Sequence, residues 1–236
     1  MTKKTMFLGF CLAAGVAMSA SGGATARAAG GANPHAAIGF DVAENMARFV
    51  FDDAPLDGDG MPAYGTSFVT QGYLYPLGFL IHHEGTLPDG SPAHPEMVIG
   101  IWTCRGHFVG DGAKTTSGPW VVSTQLYDFF ETPGYDPGKA SGRHNLIAEG
   151  NEIADVGVTV VRSVTGTTGR ARTPGKNLEQ QLLGFNESGG VDLRVVLPVG
   201  FAPVIAYRDL PSSVFGEQDL AQCLFDLGKG LVCNGG

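Results

Sequence analysis

The chain has few charged residues and no long helical repeat, and these scarcities exclude several classes of protein. Only 16% of its 236 residues are charged, and acidic residues outnumber basic ones by 23 to 15. A formal charge of −8 argues against nucleic acid and anionic membrane surfaces as partners. The apolar run at residues 6–18 is too short to span a bilayer. We therefore expect a small molecule as the partner.

The N-terminus has the pattern of a signal peptide. Lys3 and Lys4 precede the apolar run, and an Ala-x-Ala cleavage motif occupies residues 26–28. Cleavage there removes three basic residues, changes the formal charge from −8 to −11, and predicts a secreted or periplasmic protein without stable membrane insertion. A retained membrane anchor is the alternative, but no stop-transfer cluster of charges follows the run.

Glycine is abundant, with 36 residues, and short runs of Val, Ile, Phe and Tyr recur between clusters of turn-forming residues. This composition is typical of an all-β protein. The predicted strands are residues 66–75, 77–83, 97–109, 120–130, 143–153, 191–199 and the two arms of a hairpin at 158–185. About eight strands without a long helix favour a closed up-and-down barrel or a sandwich.

The domain boundaries follow from where this strand pattern begins and ends. We expect a signal peptide at residues 1–28, a loose segment at 29–44, a β-barrel domain at 45–200 and a short irregular or helical tail at 201–236. Residues 38–52 are ambiguous: the stretch with Phe40, Glu44 and the Ala-rich middle is compatible with a short helix, and residues 47–51 are compatible with an entry strand. Within the tail, residues 212–227 have the stronger helical character.

The clearest local pattern is the hairpin at residues 158–185. Side chains alternate along its first arm, and Gly166 and Gly169 are predicted to supply the positive φ angles of a tight turn. The second arm carries Glu179 and Gln181 beside apolar neighbours, so one of its faces tolerates polar groups. We expect this hairpin to help close the barrel and to hold few of the groups needed for chemistry.

Three cysteines remain after signal removal. Cys223 and Cys233 flank a Gly-rich segment and could close a small disulfide loop in an oxidising compartment. Cys104 is then the odd thiol. In an apolar strand, a single cysteine is expected to be a small buried side chain rather than a nucleophile.

The hairpin and its surroundings resemble a known family. The run VTGTTGR at residues 164–170, an alternating strand to Phe185, a polar break and a terminal strand at 192–197 are similar to the C-terminal half of allene oxide cyclase and dirigent proteins. The resemblance extends over residues 45–200 and is strongest over 157–199. It departs at Ala171 and Pro174, which replace the expected aromatic residue and glycine. It implies a calycin-like, eight-stranded antiparallel barrel.

A barrel of this size can enclose one small apolar ligand, with polar groups on the inward faces of its strands. On each of three strands, polar residues share alternate positions and therefore one face. We predict that these faces point inward, so that Gln71, Gln125 and Glu149 line one interior. The predicted ligand-binding residues are Gln71, Tyr73, Tyr75, Trp102, Arg105 and Gln125. The predicted catalytic residues are Tyr127 and Glu149, the latter as an acid or base if burial raises its pKa. The alternative is that these polar residues face solvent while Val, Leu and Phe fill the interior.

No cofactor or metal is predicted. His82, His83, His94 and His107 match no standard metal-ligand spacing, and neither a phosphate-binding loop nor a nucleophile elbow is present. The resemblance implies an isomerase, a cyclase or a dirigent-like protein that orients a small hydrophobic or aromatic molecule. A lipocalin-type binding protein and a structural protein with a filled core are the alternatives. The sequence leaves homo-oligomerisation open.

Overall fold

The structure, a computed structural model, describes residues 38–52, 62–109, 120–136, 138, 144–169, 177–197, 223–226 and 230–233. The predicted signal peptide lies outside these residues. Within these ranges, no helix combines the length and the apolar character needed to cross a membrane.

Eight antiparallel strands close into one barrel, with neighbours in chain order. The strands are β1 (Ile38–Phe51), β2 (Ser67–Pro76), β3 (Gly100–Phe108), β4 (Trp120–Phe129), β5 (Asn145–Ile153), β6 (Thr159–Thr167), β7 (Asn177–Phe185) and β8 (Val191–Leu197). Pairing of β1 with both β2 and β8 completes the ring. The predicted barrel is confirmed, the sandwich alternative is wrong, and β6 and β7 form the predicted hairpin.

The start of the barrel differs from the prediction. β1 begins at Ile38, so residues 38–44 form a strand instead of belonging to a loose segment. Both faces of this stretch are buried: Val42 faces the lumen, and Ala43 lies beneath a covering segment outside the barrel. Because both faces are buried, buried and solvent-exposed residues do not alternate along this stretch, and the two-residue period that would reveal a strand is absent.

Two other predicted elements are wrong. Residues 77–83 contain a single-turn 3-10 helix (Phe79–Ile81) in place of a strand. In the tail, which was predicted to be irregular or helical, the described residues form a two-stranded hairpin, β9 (Cys223–Asp226) with β10 (Gly230–Cys233). The rest of the tail lies outside the described residues.

Residues 77–99 form a layer over the outer face of β1 and β2, which we call the covering segment. The Tyr75 hydroxyl donates to the Gly85 carbonyl at 2.6 Å, and the Tyr73 hydroxyl donates to the Gly90 carbonyl at 3.0 Å. The Phe79 ring stacks on Tyr75 with 4.8 Å between ring centroids. Tyr73 and Tyr75 are therefore buried although they point away from the lumen.

The lumen is lined mainly by apolar side chains at alternate strand positions. The Phe40 ring lies edge-on to Tyr127 and Phe129, with centroid distances of 4.9 and 5.2 Å. The other large members of this inward-facing set are Leu74, Trp102, Leu146, Leu178, Leu193 and Val195. This core holds the strands in register around a smaller group of buried polar residues.

Candidate functional site

The candidate site is a group of polar side chains inside the barrel, which we call the lumen cluster. It consists of Cys104, Ser123, Gln125, Glu152 and Arg162. They belong to four consecutive strands, β3 to β6, and occupy inward-facing positions. In the strand ladder Cys104 lies directly opposite Gln125, so antiparallel pairing brings distant parts of the chain together.

The Glu152 carboxylate is the centre of this cluster. Its Oε1 atom accepts hydrogen bonds from Gln125 Nε2 at 2.7 Å and from Arg162 at 3.2 Å. It also accepts from the Ser123 hydroxyl and, at 3.5 Å, from the Cys104 thiol. Four donors, from β3, β4 and β6, therefore fix one carboxylate oxygen in the lumen.

Arg162 supplies the only cation of the cluster and is fully buried. One terminal nitrogen donates to the Ser123 carbonyl and hydroxyl, both at 2.9 Å. The other donates to the Asn151 carbonyl at 3.1 Å as well as to Glu152. A guanidinium held by backbone carbonyls on two strands cannot reorient freely, so it provides a positive charge at a fixed place.

Glu44, on β1, is a second acidic side chain facing the same lumen. It is 5% exposed, and its Oε2 atom accepts the Val191 backbone N–H at 2.9 Å. Burial raises the pKa of Glu44 from 4.5 to about 7, and the negative charges of Glu152 and Asp192 add to the effect. The charge of Arg162 is paired with Glu152 and not with Glu44. Glu44 is therefore a buried acid that exchanges a proton near neutral pH, as general acid–base catalysis requires.

Several buried polar atoms on the inward face have no hydrogen-bond partner within the described part of the chain, and three of them belong to strands β3, β6 and β7. These three are Trp102 Nε1, Arg162 Nε and Gln180 Oε1. Buried polar atoms in folded proteins nearly always have partners, because an unmade hydrogen bond is costly. Two unpaired donors and one unpaired acceptor are therefore available to water or to the polar groups of a ligand.

The residues predicted from sequence divide between the two faces of the barrel. Trp102, Gln125 and Tyr127 face the lumen. The Tyr127 hydroxyl donates to Gln125 Oε1, and burial raises the pKa of this phenol above its usual range. Gln71, Tyr73, Tyr75, Arg105 and Glu149 lie on the outer face.

The prediction that Gln71, Gln125 and Glu149 line one interior is therefore wrong, since only Gln125 does. Glu149 is exposed, and its carboxylate accepts the Thr124 hydroxyl at 3.4 Å on the outer face. Gln71 is half-buried and donates to Thr103 at 3.3 Å, also outside. The alternate positions that carry these polar residues face outward on β2 and β5 but inward on β4. The lumen itself contains charged side chains, so polarity does not identify the outer face of a strand.

Glu44, Glu152 and Arg162 were missed as site residues. One signal for them exists on β5, where Ala148 and Gly150 share the parity of Glu152. Such small inward residues leave room for a large side chain from a neighbouring strand. An added Cβ at Gly150 would lie 3.5 Å from the Arg162 side chain, which occupies that space.

The histidines of the covering segment pack against an aromatic ring. His83 and His94 lie 4.6 and 5.3 Å from the Phe79 ring, measured between centroids. In the part of the chain that the structure describes, no group of three or more His, Cys, Asp or Glu side chains is arranged to hold a metal ion.

Comparisons with known proteins give similarity at the level of structure. No protein-family model matches the chain, and no curated protein matches its sequence. The structure is similar to that of one pterocarpan synthase dirigent protein, with a TM-score of 0.43, 10% identity, and coverage of 68% of this chain and 83% of that one. For a second pterocarpan synthase dirigent protein the TM-score is 0.43 and the identity 13%, with coverage of 68% and 90%. The similarity concerns the barrel fold.

Proposed function

We propose that this protein binds one small organic molecule with an apolar body and an oxygenated end inside the barrel, and that Glu44 moves a proton on the bound molecule. The reaction is of the isomerase or cyclase class. The observation that carries the proposal is the set of unpaired polar atoms facing the same lumen as a buried acid. The exported location predicted from the N-terminus is part of this proposal.

The lumen contains complementary groups for both ends of such a molecule. The rings of Phe40, Tyr127 and Phe129 provide apolar contacts that exclude water from the body of the ligand. The unpaired N–H groups of Trp102 and Arg162 can donate to an oxygen at its polar end. Donors held in place in this way stabilise an oxygen that gains negative charge during a proton transfer.

The proposed chemistry balances without a cofactor. Where the oxygenated group is a carbonyl, the Glu44 carboxylate accepts a proton from the carbon next to it, and the electrons of the broken C–H bond form a C=C bond while those of the C=O bond move onto the oxygen. Protonated Glu44 then returns the proton to another atom of the same molecule, while the barrel holds one folded conformation. A purely apolar ligand, as in a lipocalin-type carrier, would leave the lumen cluster with buried polar groups and no replacement for water.

Binding can be tested through the two tryptophans of the chain, because one faces the lumen and the other does not. Trp102 is 1% exposed, whereas Trp120 is 41% exposed on the outer surface. Titration with hydrocinnamyl alcohol should shift the indole N–H signal of Trp102 in heteronuclear NMR spectra and leave that of Trp120 in place. Propylbenzene, which lacks the hydroxyl group, should bind more weakly.

Neighbouring glutamines on β7 provide a matched pair of variants. Gln180 faces the lumen, while the Gln181 amide donates to the Gly157 carbonyl outside. Gln180→Leu should weaken alcohol binding about fivefold, the equivalent of one hydrogen bond, and Gln181→Leu should not. An unmoved Trp102 signal at saturating alcohol would contradict binding in the lumen.

The proton transfer has a separate test. Benzylacetone has exchangeable protons beside its carbonyl group, and the protein should accelerate their replacement by deuterium in heavy water. Glu44→Gln should abolish the acceleration, whereas Glu149→Gln, at an exposed outer position, should leave it unchanged. Binding of the ketone without any acceleration would refute the catalytic part of the proposal and favour a binding or orienting protein.

A further inference from the structure

A cavity of about 280 Å³ lies outside the barrel on the outer face of β1 to β4. Two neighbouring rows of the strand ladder form its floor. Gln71 and Thr103 belong to one row, and Tyr73 and Asp128 belong to the next. All four side chains point away from the lumen, so this outer cavity is distinct from the lumen cluster.

A bulge in β1 forms one rim of the outer cavity. Its pairing with β2 shifts register between Asn45 and Val50, and the Asn45 side chain accepts the Ala47 backbone N–H at 3.0 Å. Bulges commonly redirect a side chain near a functional site. Here the bulge contains Arg48, which donates to Gln71 Oε1 at 3.0 Å and lines the cavity.

Two tyrosine rings form an apolar wall. Tyr73 and Tyr135 lie edge to face, with 5.2 Å between ring centroids and 78° between planes. The Tyr73 hydroxyl accepts a hydrogen bond from Asn45 Nδ2 at 3.1 Å and donates to the Gly90 carbonyl. This hydroxyl is held on two sides, so the ring has a fixed position in the lining of the cavity.

Besides the tyrosines and two aliphatic side chains, Ile101 and Leu126, the lining groups are mainly polar and carry charges of both signs. Arg48, Gln71 and Thr103 form a hydrogen-bonded series, and the Asp128 carboxylate belongs to the same lining. A purely apolar ligand would remove water from these groups without replacing its hydrogen bonds. A highly charged ligand of either sign would meet a like charge. A neutral ligand with several hydroxyl groups and one apolar face satisfies both walls.

We propose that the outer cavity binds a single sugar ring, free or at the end of a glycan chain. The cavity is slightly smaller than sites for drug-sized molecules, which begin near about 300 Å³, and this size suits one ring. Ring hydroxyls pair with the Arg48, Gln71 and Asp128 side chains, and the C–H face lies against the tyrosines. This inference does not depend on the function proposed for the lumen.

The test is an NMR titration of the full chain with methyl β-glucoside, methyl β-galactoside and methyl α-mannoside. At least one glycoside should give saturable shifts at the Tyr73 and Thr103 amides and at the Gln71 side-chain amide, while the Trp102 indole stays unmoved. A trisaccharide such as maltotriose distinguishes a free sugar from the end of a glycan chain. Tighter binding of the trisaccharide than of glucose supports a glycan chain, and equal binding supports a free sugar.

Variants define the site. Arg48→Ala should weaken glycoside binding about tenfold, as loss of a charged hydrogen-bond donor does, and Tyr135→Ala about fivefold. Arg48 is exposed, so its replacement should leave the fold intact. Arg105→Ala, also exposed on the outer face, is the matched control and should have no effect. The proposal is overturned if no glycoside gives saturable shifts, or if Arg48→Ala and Arg105→Ala bind equally.

Discussion

Replacement of Glu44 by Gln should remove a pH-dependent loss of stability. The pKa of Glu44 is 4.5 in the unfolded chain and about 7 in the folded protein, mainly because the carboxyl group is buried. Below the lower pKa value Glu44 is protonated in both the folded and the unfolded state, so its ionisation does not change the free energy of unfolding. As the pH rises towards the upper value, the unfolded chain gains by ionising while the folded protein keeps the proton. The free energy of unfolding therefore falls over this interval and is level above it.

The size of the effect follows from the interval between the two pKa values. At 1.36 kcal/mol for each pH unit, the cost of a charged Glu44 reaches about 3 kcal/mol above neutral pH. Gln has the same shape and keeps an oxygen that can accept the Val191 N–H, so the variant should retain the backbone contact. Glu44→Gln should thus equal the wild type near pH 4 and exceed its stability by about 3 kcal/mol near pH 8.

Urea denaturation followed by tryptophan fluorescence, at several pH values, measures this difference. Burial also raises the pKa of Asp192, to about 6, so both proteins lose stability with pH and only their difference reports Glu44. Glu149→Gln, on the exposed outer face, is the control and should give a difference independent of pH. A Glu44→Gln protein that never exceeds the wild type between pH 5 and 8 would refute the assignment of Glu44 as a buried acid of raised pKa.

Three further changes test the framework around the site. Arg162→Met should reduce the free energy of unfolding by about 3–5 kcal/mol in urea titrations, because it leaves a partly buried carboxylate unpaired, and a loss below about 1 kcal/mol would contradict this. Gly72→Ala should destabilise by about 1–3 kcal/mol, since its Cβ would overlap a carbonyl oxygen of β1, while Gly184→Ala, with no atom within 4 Å of the added Cβ, should not. Cys223 and Cys233 are directly opposite in the tail hairpin, so mass spectrometry of the alkylated, unreduced protein should find them bridged, and alkylation of both would exclude the bridge.

Much of the barrel was readable from sequence because its signals are local. Turn residues separate short apolar runs, and neighbours in the sequence become neighbours in the sheet. Details that depend on pairing were harder to predict. Gly169 has the predicted positive φ of 69°, but Gly166 lies within β6, opposite the register shift at Ile147 and Ala148. That irregularity depends on how β5 pairs, which the composition of the hairpin does not contain.

The lumen cluster depends on contacts between distant residues, and this is why the sequence did not reveal it. Arg162 donates to the backbone and side chain of Ser123, 39 positions earlier, and to Glu152 on the strand between them. Arg162 stands between Val161 and Ser163 on β6, and Glu152 stands between Asn151 and Ile153 on β5, so neither strand has a polar–apolar alternation that places its charged residue inside. A buried ion pair needs both partners and their backbone acceptors at once, so no single strand predicts it.

The covering segment explains why the wrong face of β2 was chosen, and the charged lumen explains the wrong face of β5. Alternation separates core from solvent only where one face of a sheet is wet, and residues 77–99 leave Tyr73 and Tyr75 dry on the outside. At the same time, the lumen contains Arg162 and Glu152, so polarity no longer identifies the outside. On β5, which lacks such a cover at Glu149, the side chain is simply exposed. The contacts that bury the outer face of β2 also hold the Tyr73 ring in the wall of the outer cavity. The error in predicting the inward face of β2 and the candidate binding site therefore have one structural cause.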